Sequence, residues 1–239
     1  MNLHTAATKS DLIIDFANWL IIDIEKVLTT KNRYTIALSG GSTPLELFKL
    51  LATDTYKSAI NWQKIHIFWG DERDVAFEDD RNNAKQAFNL LLNKVPIPPN
   101  QIHIINTGFS ADIAARKYNQ LLHEYFDRMP TSFDLVILGM GEDGHTLSLF
   151  PGTAVVNEMS KWVVSFYLAA QQMNRITITA PITNKAAAVC FLVAGTSKAP
   201  ALKEVLQGDY QPNMYPSQII KPITGNLHWF VDKEAAALL

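Results

Sequence analysis

Three short segments carry residue types at spacings suited to chemistry. The longest is Gly139-Met140-Gly141-Glu142-Asp143-Gly144-His145-Thr146, which continues into Ser148-Leu149-Phe150-Pro151-Gly152. Three glycines make a loop shaped by backbone, and His145 is the single histidine inside it. An imidazole titrates near neutral pH and suits proton transfer. The second segment is Ser39-Gly40-Gly41-Ser42-Thr43-Pro44. Gly40 and Gly41 let backbone approach an anion closely, and Ser42 and Thr43 add hydroxyl donors. Pro44 suits the first turn of a helix whose free N–H groups favour negative charge. This is phosphate-binding chemistry without a P-loop, since no Gly-Lys-Ser/Thr follows; the plain alternative is a glycine turn with a Ser/Thr cap. The third segment is Trp69-Gly70-Asp71-Glu72-Arg73. Asp71 suits orienting or deprotonating a group, and the planar fork of Arg73 suits an oxyanion or a phosphate. Its alternative is a solvated charged loop.

The other five histidines have structural settings: His4 in the N-terminal tail, His66 and His103 in or beside strands, His123 on a helix and His228 in a strand. Glu142, Asp143 and His145 lack helical His-x-x-x-His spacing, so no metal site is expected.

All three segments fall where strands must end. Helical spacing of Leu12, Ile13, Phe16, Leu20, Ile24, Val27 and Leu28 predicts a first helix capped by Ser10 or Asp11. Strands are expected at Tyr34–Ser39, Ile65–Trp69, Ile102–Ile105, Phe133–Leu138, Trp162–Phe166, Arg175–Thr179, Ala188–Val193 and Leu227–Val231. Helices are expected after Pro44, from Asn82 to Leu92, from Ser110 to Met129, from Lys198 to Leu206 and from Lys233 to Leu239. Strands that alternate with helices predict an α/β fold with a largely parallel sheet covered on both faces. In such sheets ligands bind beyond the carboxyl ends of the strands. No repeat or linker divides the chain, so residues 1–239 are expected to form one domain.

Composition narrows the classes. The 239 residues are 48% hydrophobic and 18% charged, and 21 basic residues against 23 acidic ones give a formal charge of −2. That balance offers no basic surface for a nucleic acid. The lone Cys190 sits in an apolar run and cannot form an internal disulfide. No run approaches the roughly 18 apolar residues of a membrane span, and no signal-peptide pattern is read. A cytoplasmic protein is expected.

Together and in order, the three segments resemble the 6-phosphogluconolactonases, which share a superfamily with glucosamine-6-phosphate deaminases. The resemblance covers essentially the whole chain, continuing through Arg175-Ile176-Thr177, Gly195-x-x-Lys198 and Trp229-x-x-Asp232-x-x-Ala235. It implies a Rossmann-like parallel sheet with helices on both faces plus a small added subdomain. It also implies hydrolysis of 6-phospho-D-glucono-1,5-lactone to 6-phosphogluconate in the oxidative pentose phosphate pathway, with no cofactor. In that scheme His145 takes a proton from water and returns it to the ring oxygen, and Asp143 either orients the imidazole or turns away. Arg73 stabilises the oxyanion or holds the sugar acid. Gly40, Gly41, Ser42 and Thr43, with Arg175 and Lys198, grip the 6-phosphate. Deaminase relatives carry Asp-Glu-Tyr where this chain has Asp71-Glu72-Arg73, and a Glu where it has Phe150; lactonases often place Lys-Pro-Pro where Ala170–Asn174 stands. The fold also serves sugar-phosphate sensors with a DNA-binding head, but the roughly 30 residues expected before the first strand fit one helix, not a helix-turn-helix unit. The expected partner is therefore a small sugar-phosphate lactone, and the expected state a monomer or small homo-oligomer.

Overall fold

The runs Tyr34–Leu38, Leu135–Leu138 and Ala188–Val193 are buried at every position, as strands covered on both faces must be. A computed structural model describes all 239 residues. Its first half contains β1 (Asn2–Ala6), α1 (Lys9–Leu28), β2 (Tyr34–Leu38), α2 (Ser42–Leu51), α3 (Asp54–Ala59), β3 (Ile65–Trp69), β4 (Asp71–Arg73), α4 (Asn83–Leu90) and α5 (Ala111–Phe126). The second half adds β5 (Leu135–Leu138), β6 (Val163–Leu168), β7 (Met173–Ile178), α6 (Ala180–Asn184), β8 (Ala188–Val193), α7 (Ala199–Gln207) and β9 (Leu227–Asp232).

Six strands form one parallel sheet in the order β1-β9-β8-β5-β2-β3. Side chains alternate across it. Ile36, Leu38, Ile65 and Ile67 meet Leu20 and Ile24 of α1 and Leu47 and Phe48 of α2. On the opposite face Phe68 packs edge-on against Tyr125 and is tilted against Phe126 of α5. The expected doubly covered sheet is therefore present. A second sheet, antiparallel in the order β4-β7-β6, forms the added subdomain.

After β2 the chain moves outward to β3, then returns to the other side of β2 with β5. The order in which strands are added thus reverses between β2 and β5, which opens a crevice at their carboxyl ends. Asp134 ties the other end of that pair. Its Oδ2 accepts from the Thr35 backbone N–H and hydroxyl, each at 2.8 Å, while Lys31 reaches Oδ1. The register Ile36 to Leu135 follows from that clasp.

Several expectations need correction. Residues 2–6 are not a tail but the edge strand β1, in which His4 stacks on Phe230 at 4.2 Å. The first helix is capped by Thr8, whose side chain accepts from the Asp11 N–H, rather than by Ser10 or Asp11. Residues 102–105 do not form a strand; Ile102 makes one bridge to Ile67 before the chain leaves the sheet edge. Residues 233–239 form turns instead of a helix, the first of them held by Asp232, which accepts from the Ala235 N–H. Asp71–Arg73, open to reading as a solvated loop, forms β4, pairing antiparallel with β7.

Candidate active site

The segment after β2 turns through Gly41 at φ +103°, a conformation open to glycine, and α2 begins at Ser42. Gly40 is required for a different reason. A Cβ there would lie 2.0 Å from Asn83 Oδ1, so the α4 terminus packs directly against the glycine turn. Asn83 Nδ2 donates to the Asp71 carbonyl at 3.0 Å, joining this turn to β4.

The segment after β5 closes on itself: Gly141 N–H donates to the His145 carbonyl at 2.8 Å and the Thr146 hydroxyl to the Gly139 carbonyl at 2.8 Å. The imidazole lies over Gly141, where a Cβ would come within 2.1 Å of Nδ1. Asp143 sits behind the ring, its Oδ1 2.5 Å from His145 Nδ1 and 3.1 Å from the His145 backbone N. Burial pushes the Asp143 carboxyl up, but the hydrogen bonds and charge of His145 outweigh it and hold it below the usual value. An ionised carboxylate only accepts, so Nδ1 is the donor in this contact and Nε2 is the ring nitrogen that Asp143 leaves free.

From β8 the chain enters Gly195 at φ +96°, and both carboxylate oxygens of Asp232 receive the Gly195 N–H at 3.0 Å. Asp232 also accepts from the Ala235 N–H at 2.8 Å. This bracket explains the paired patterns around Lys198 and Asp232 noted in the sequence: the C-terminal strand holds the turn that carries the lysine.

β4 and β7 supply the remaining charges. Arg175, 4% exposed, donates from Nε to Ser148 Oγ at 2.9 Å and from Nη2 to Asp71 Oδ2 at 3.3 Å. Ser148 in turn donates to Asp71 Oδ2 at 2.6 Å. Burial lowers the pKa of Arg175 from its ordinary value, Asp71 opposes, and Arg73, directly across the ladder, adds to the lowering. Arg73 donates from Nη1 to the Arg81 carbonyl at 2.6 Å, while its buried Nε–H meets no acceptor.

Gly40, Gly41, Ser42, Thr43, Asp71, Arg73, His145, Arg175 and Lys198 all line one open cleft of ≈ 760 Å³ at the crevice. Asp143 alone among the expected residues stands outside its wall, behind the imidazole it orients. Asp71 lines the cleft, yet its carboxylate is engaged by Ser148 and Arg175, which favours orientation over proton abstraction. The walls hold three cations, Arg73, Arg175 and Lys198, against one carboxylate. Such an excess, beside the α2 N-terminus, suits a phosphate dianion. Sequence reasoning missed Ser148 and Asn83; a serine and an asparagine give no signal until the loops that they join are placed in space.

A family model described as glucosamine-6-phosphate isomerases/6-phosphogluconolactonase matches residues 7–229. The chain is 37% identical over 233 residues to a 6-phosphogluconolactonase of Nostoc, covering 95% of this chain and 94% of that protein. It is 38% identical over 217 residues to one of Synechocystis, covering 89% and 87% respectively. The crystal structure of 6-phosphogluconolactonase from Thermotoga maritima superimposes with a TM-score of 0.84 at 27% identity, over 97% of this chain and 99% of that one.

Glu72 underlies this geometry and yields a pH test. It is 1% exposed and receives three backbone N–H groups, those of Arg73 at 2.9 Å, Asn83 at 2.8 Å and Ala84 at 2.9 Å. Burial nevertheless pushes its carboxyl from 4.5 up to about 7. Between those values the unfolded chain is ionised while the folded carboxyl keeps its proton, so this group's contribution to stability is lost as pH rises. Glu72→Gln does not titrate there. The melting temperature of the wild type minus that of the variant is expected to fall as pH rises from 4.5 to about 7 and then level off. A difference that stays constant or grows across that window contradicts the assignment.

Proposed function

The chain belongs to the glucosamine-6-phosphate isomerase/6-phosphogluconolactonase family, and from that premise we propose that it hydrolyses 6-phospho-D-glucono-1,5-lactone to 6-phospho-D-gluconate. The observation that carries the reading is His145, backed by Asp143, in the wall of a cleft with an excess of positive charge. A neutral imidazole and an anion grip are what a phosphorylated lactone needs.

Water attacks the lactone carbonyl carbon as His145 Nε2 takes one of its protons. The carbonyl π pair moves onto oxygen, and Arg73 stabilises the resulting oxyanion with a permanent charge. The tetrahedral centre collapses, the bond to the ring oxygen breaks, and that oxygen receives the proton from His145 Nε2. Asp143 stabilises the imidazolium between the two transfers. Ser42, Thr43, the α2 N-terminus and Lys198 hold the 6-phosphate, and this remote binding fixes the reacting carbon. Arg175, already held by Asp71, shapes that end of the cleft and adds its field. The proposal includes a cytoplasmic setting, no cofactor, and action as a monomer or small homo-oligomer. No helix is long and apolar enough to cross a membrane. Deamination of an amino sugar is disfavoured, because the imidazole hydrogen-bonds one carboxylate and Phe150 covers its face.

The direct test supplies fresh 6-phosphogluconolactone and follows 6-phosphogluconate formation above the spontaneous rate. His145→Ala is expected to lower kcat by about 10²–10⁴-fold with its fold intact; near-normal turnover removes His145 from the mechanism. Ammonia released from glucosamine 6-phosphate in a His145-dependent manner overturns the lactonase reading.

Lys198→Ala is expected to weaken binding of the phosphorylated lactone by about 1.5–3 kcal/mol. Its activity on unphosphorylated gluconolactone should be unchanged. Equal losses on both substrates mean that Lys198 does not contact the phosphate.

A further inference from the structure

One aromatic ring lies against two functional groups without lining the cleft. Phe150 is 9% exposed, and its ring centroid is 4.1 Å from that of His145 with 29° between the planes. The Arg175 guanidinium carbon lies 5.7 Å from the same ring. The backbone beneath it is pinned, since the Phe150 carbonyl accepts from the Thr153 N–H at 3.2 Å and the Thr153 hydroxyl at 2.6 Å. Its N–H donates to the Ser148 carbonyl at 3.2 Å, within the turn that also carries the buried Ser148 hydroxyl.

We propose that Phe150 is a positioning residue that fixes the plane of the His145 imidazole, a role that rests on the reading of His145 as the proton-transfer group. The reason is geometric. The hydrogen bond from Nδ1 to Asp143 sets the direction of one ring atom but leaves the ring free to swing about that contact. Nε2, on the other side of the ring, moves most in such a swing. A flat partner stacked on the imidazole removes this freedom. The apolar plate also keeps a second carboxylate from the imidazole face, so that Asp143 is its one acidic partner. Because Phe150 does not line the cleft, its loss should alter the chemical step rather than substrate binding.

Two variants remove the flat face while keeping apolar volume, Phe150→Leu and Phe150→Met, and Phe150→Tyr keeps it. Proton NMR of the His145 ring reads the stacking directly. Its carbon-bound protons should be shielded in the wild type and in Phe150→Tyr, and should move downfield in the other two. With the phosphorylated lactone, Phe150→Leu and Phe150→Met should lose about 10–10²-fold in kcat, the scale of a misplaced catalytic group. Their KM should stay within about twofold of the wild type, and Phe150→Tyr should recover most of the rate. Melting temperatures identify any variant that fails to fold, and the other then decides. Unchanged kcat in a folded Leu or Met variant, or a loss confined to KM, overturns the proposal. If the wild type does not hydrolyse the lactone, the functional reading fails, while the ring shielding still decides whether Phe150 holds the imidazole.

Discussion

The architecture of the site depends on satisfying one buried guanidinium. Taking a charge of that size out of water costs several kcal/mol unless an opposite charge and hydrogen bonds meet it. Arg175 is met by Asp71 and Ser148, which reach it from β4 and from the segment that follows His145. The three residues lie 27, 77 and 104 positions apart in pairs. Satisfying this one side chain therefore seats the antiparallel sheet on the end of the parallel one and draws the histidine loop down onto both. Leu147 adopts φ +55° between His145 and Ser148, so the chain turns there from a residue that faces the cleft to one that faces the core. A branched-side-chain residue held at positive φ is strained, and the buried contacts of Ser148 offset that strain.

Charge then divides by role. Arg175 spends its charge on Asp71. Lys198 has no carboxylate partner and only Arg73's Nη1 is bonded, to a carbonyl, so these two retain charge for a ligand. Each is carried on backbone fixed by a carboxylate: Glu72 holds the N–H of Arg73, and Asp232 holds the N–H of Gly195 three residues before Lys198. Asp143 does the same for His145, through both backbone and ring. Three buried or half-buried carboxyl groups thus hold the backbone or ring of residues that line the cleft, the kind of positioning that proximity effects demand.

Much of this was legible in the sequence, for identifiable reasons. The parallel sheet shows as apolar runs such as Ala188–Val193, because burial on both faces abolishes alternation. Gly40, His145 and Arg73 stand out by their types at strand ends, the glycine turn and the charged segment each with a plain alternative, and Lys198 entered only through the family resemblance. What stayed hidden depends on long-range pairing. β1 has only Ala6 buried, so its five residues carry no pattern, and its strand character comes from the ladder with β9. β4 is three charged residues that propensity would leave as loop; β7 makes it a strand. The strand expected at 102–105 has the right composition but leaves the sheet edge after a single bridge from Ile102 to Ile67. Ser148 is an ordinary residue whose meaning arises when its loop folds beneath His145, and Phe150, noted in the sequence only for standing where deaminases carry a Glu, gains its contact with the imidazole there.

The most direct measurement of the central claim is a double-mutant cycle on stability between Asp71 and Arg175, using Asp71→Ala, Arg175→Ala and the double variant in urea unfolding. Removing either partner leaves the other charge buried and unpaired, so each single variant should lose about 3–5 kcal/mol. The double variant should then lose little more than the worse single one, which gives a coupling of at least about 2 kcal/mol. Losses that simply add would contradict the account, because they would mean that the two charges do not depend on each other and that the loops are held together by something else.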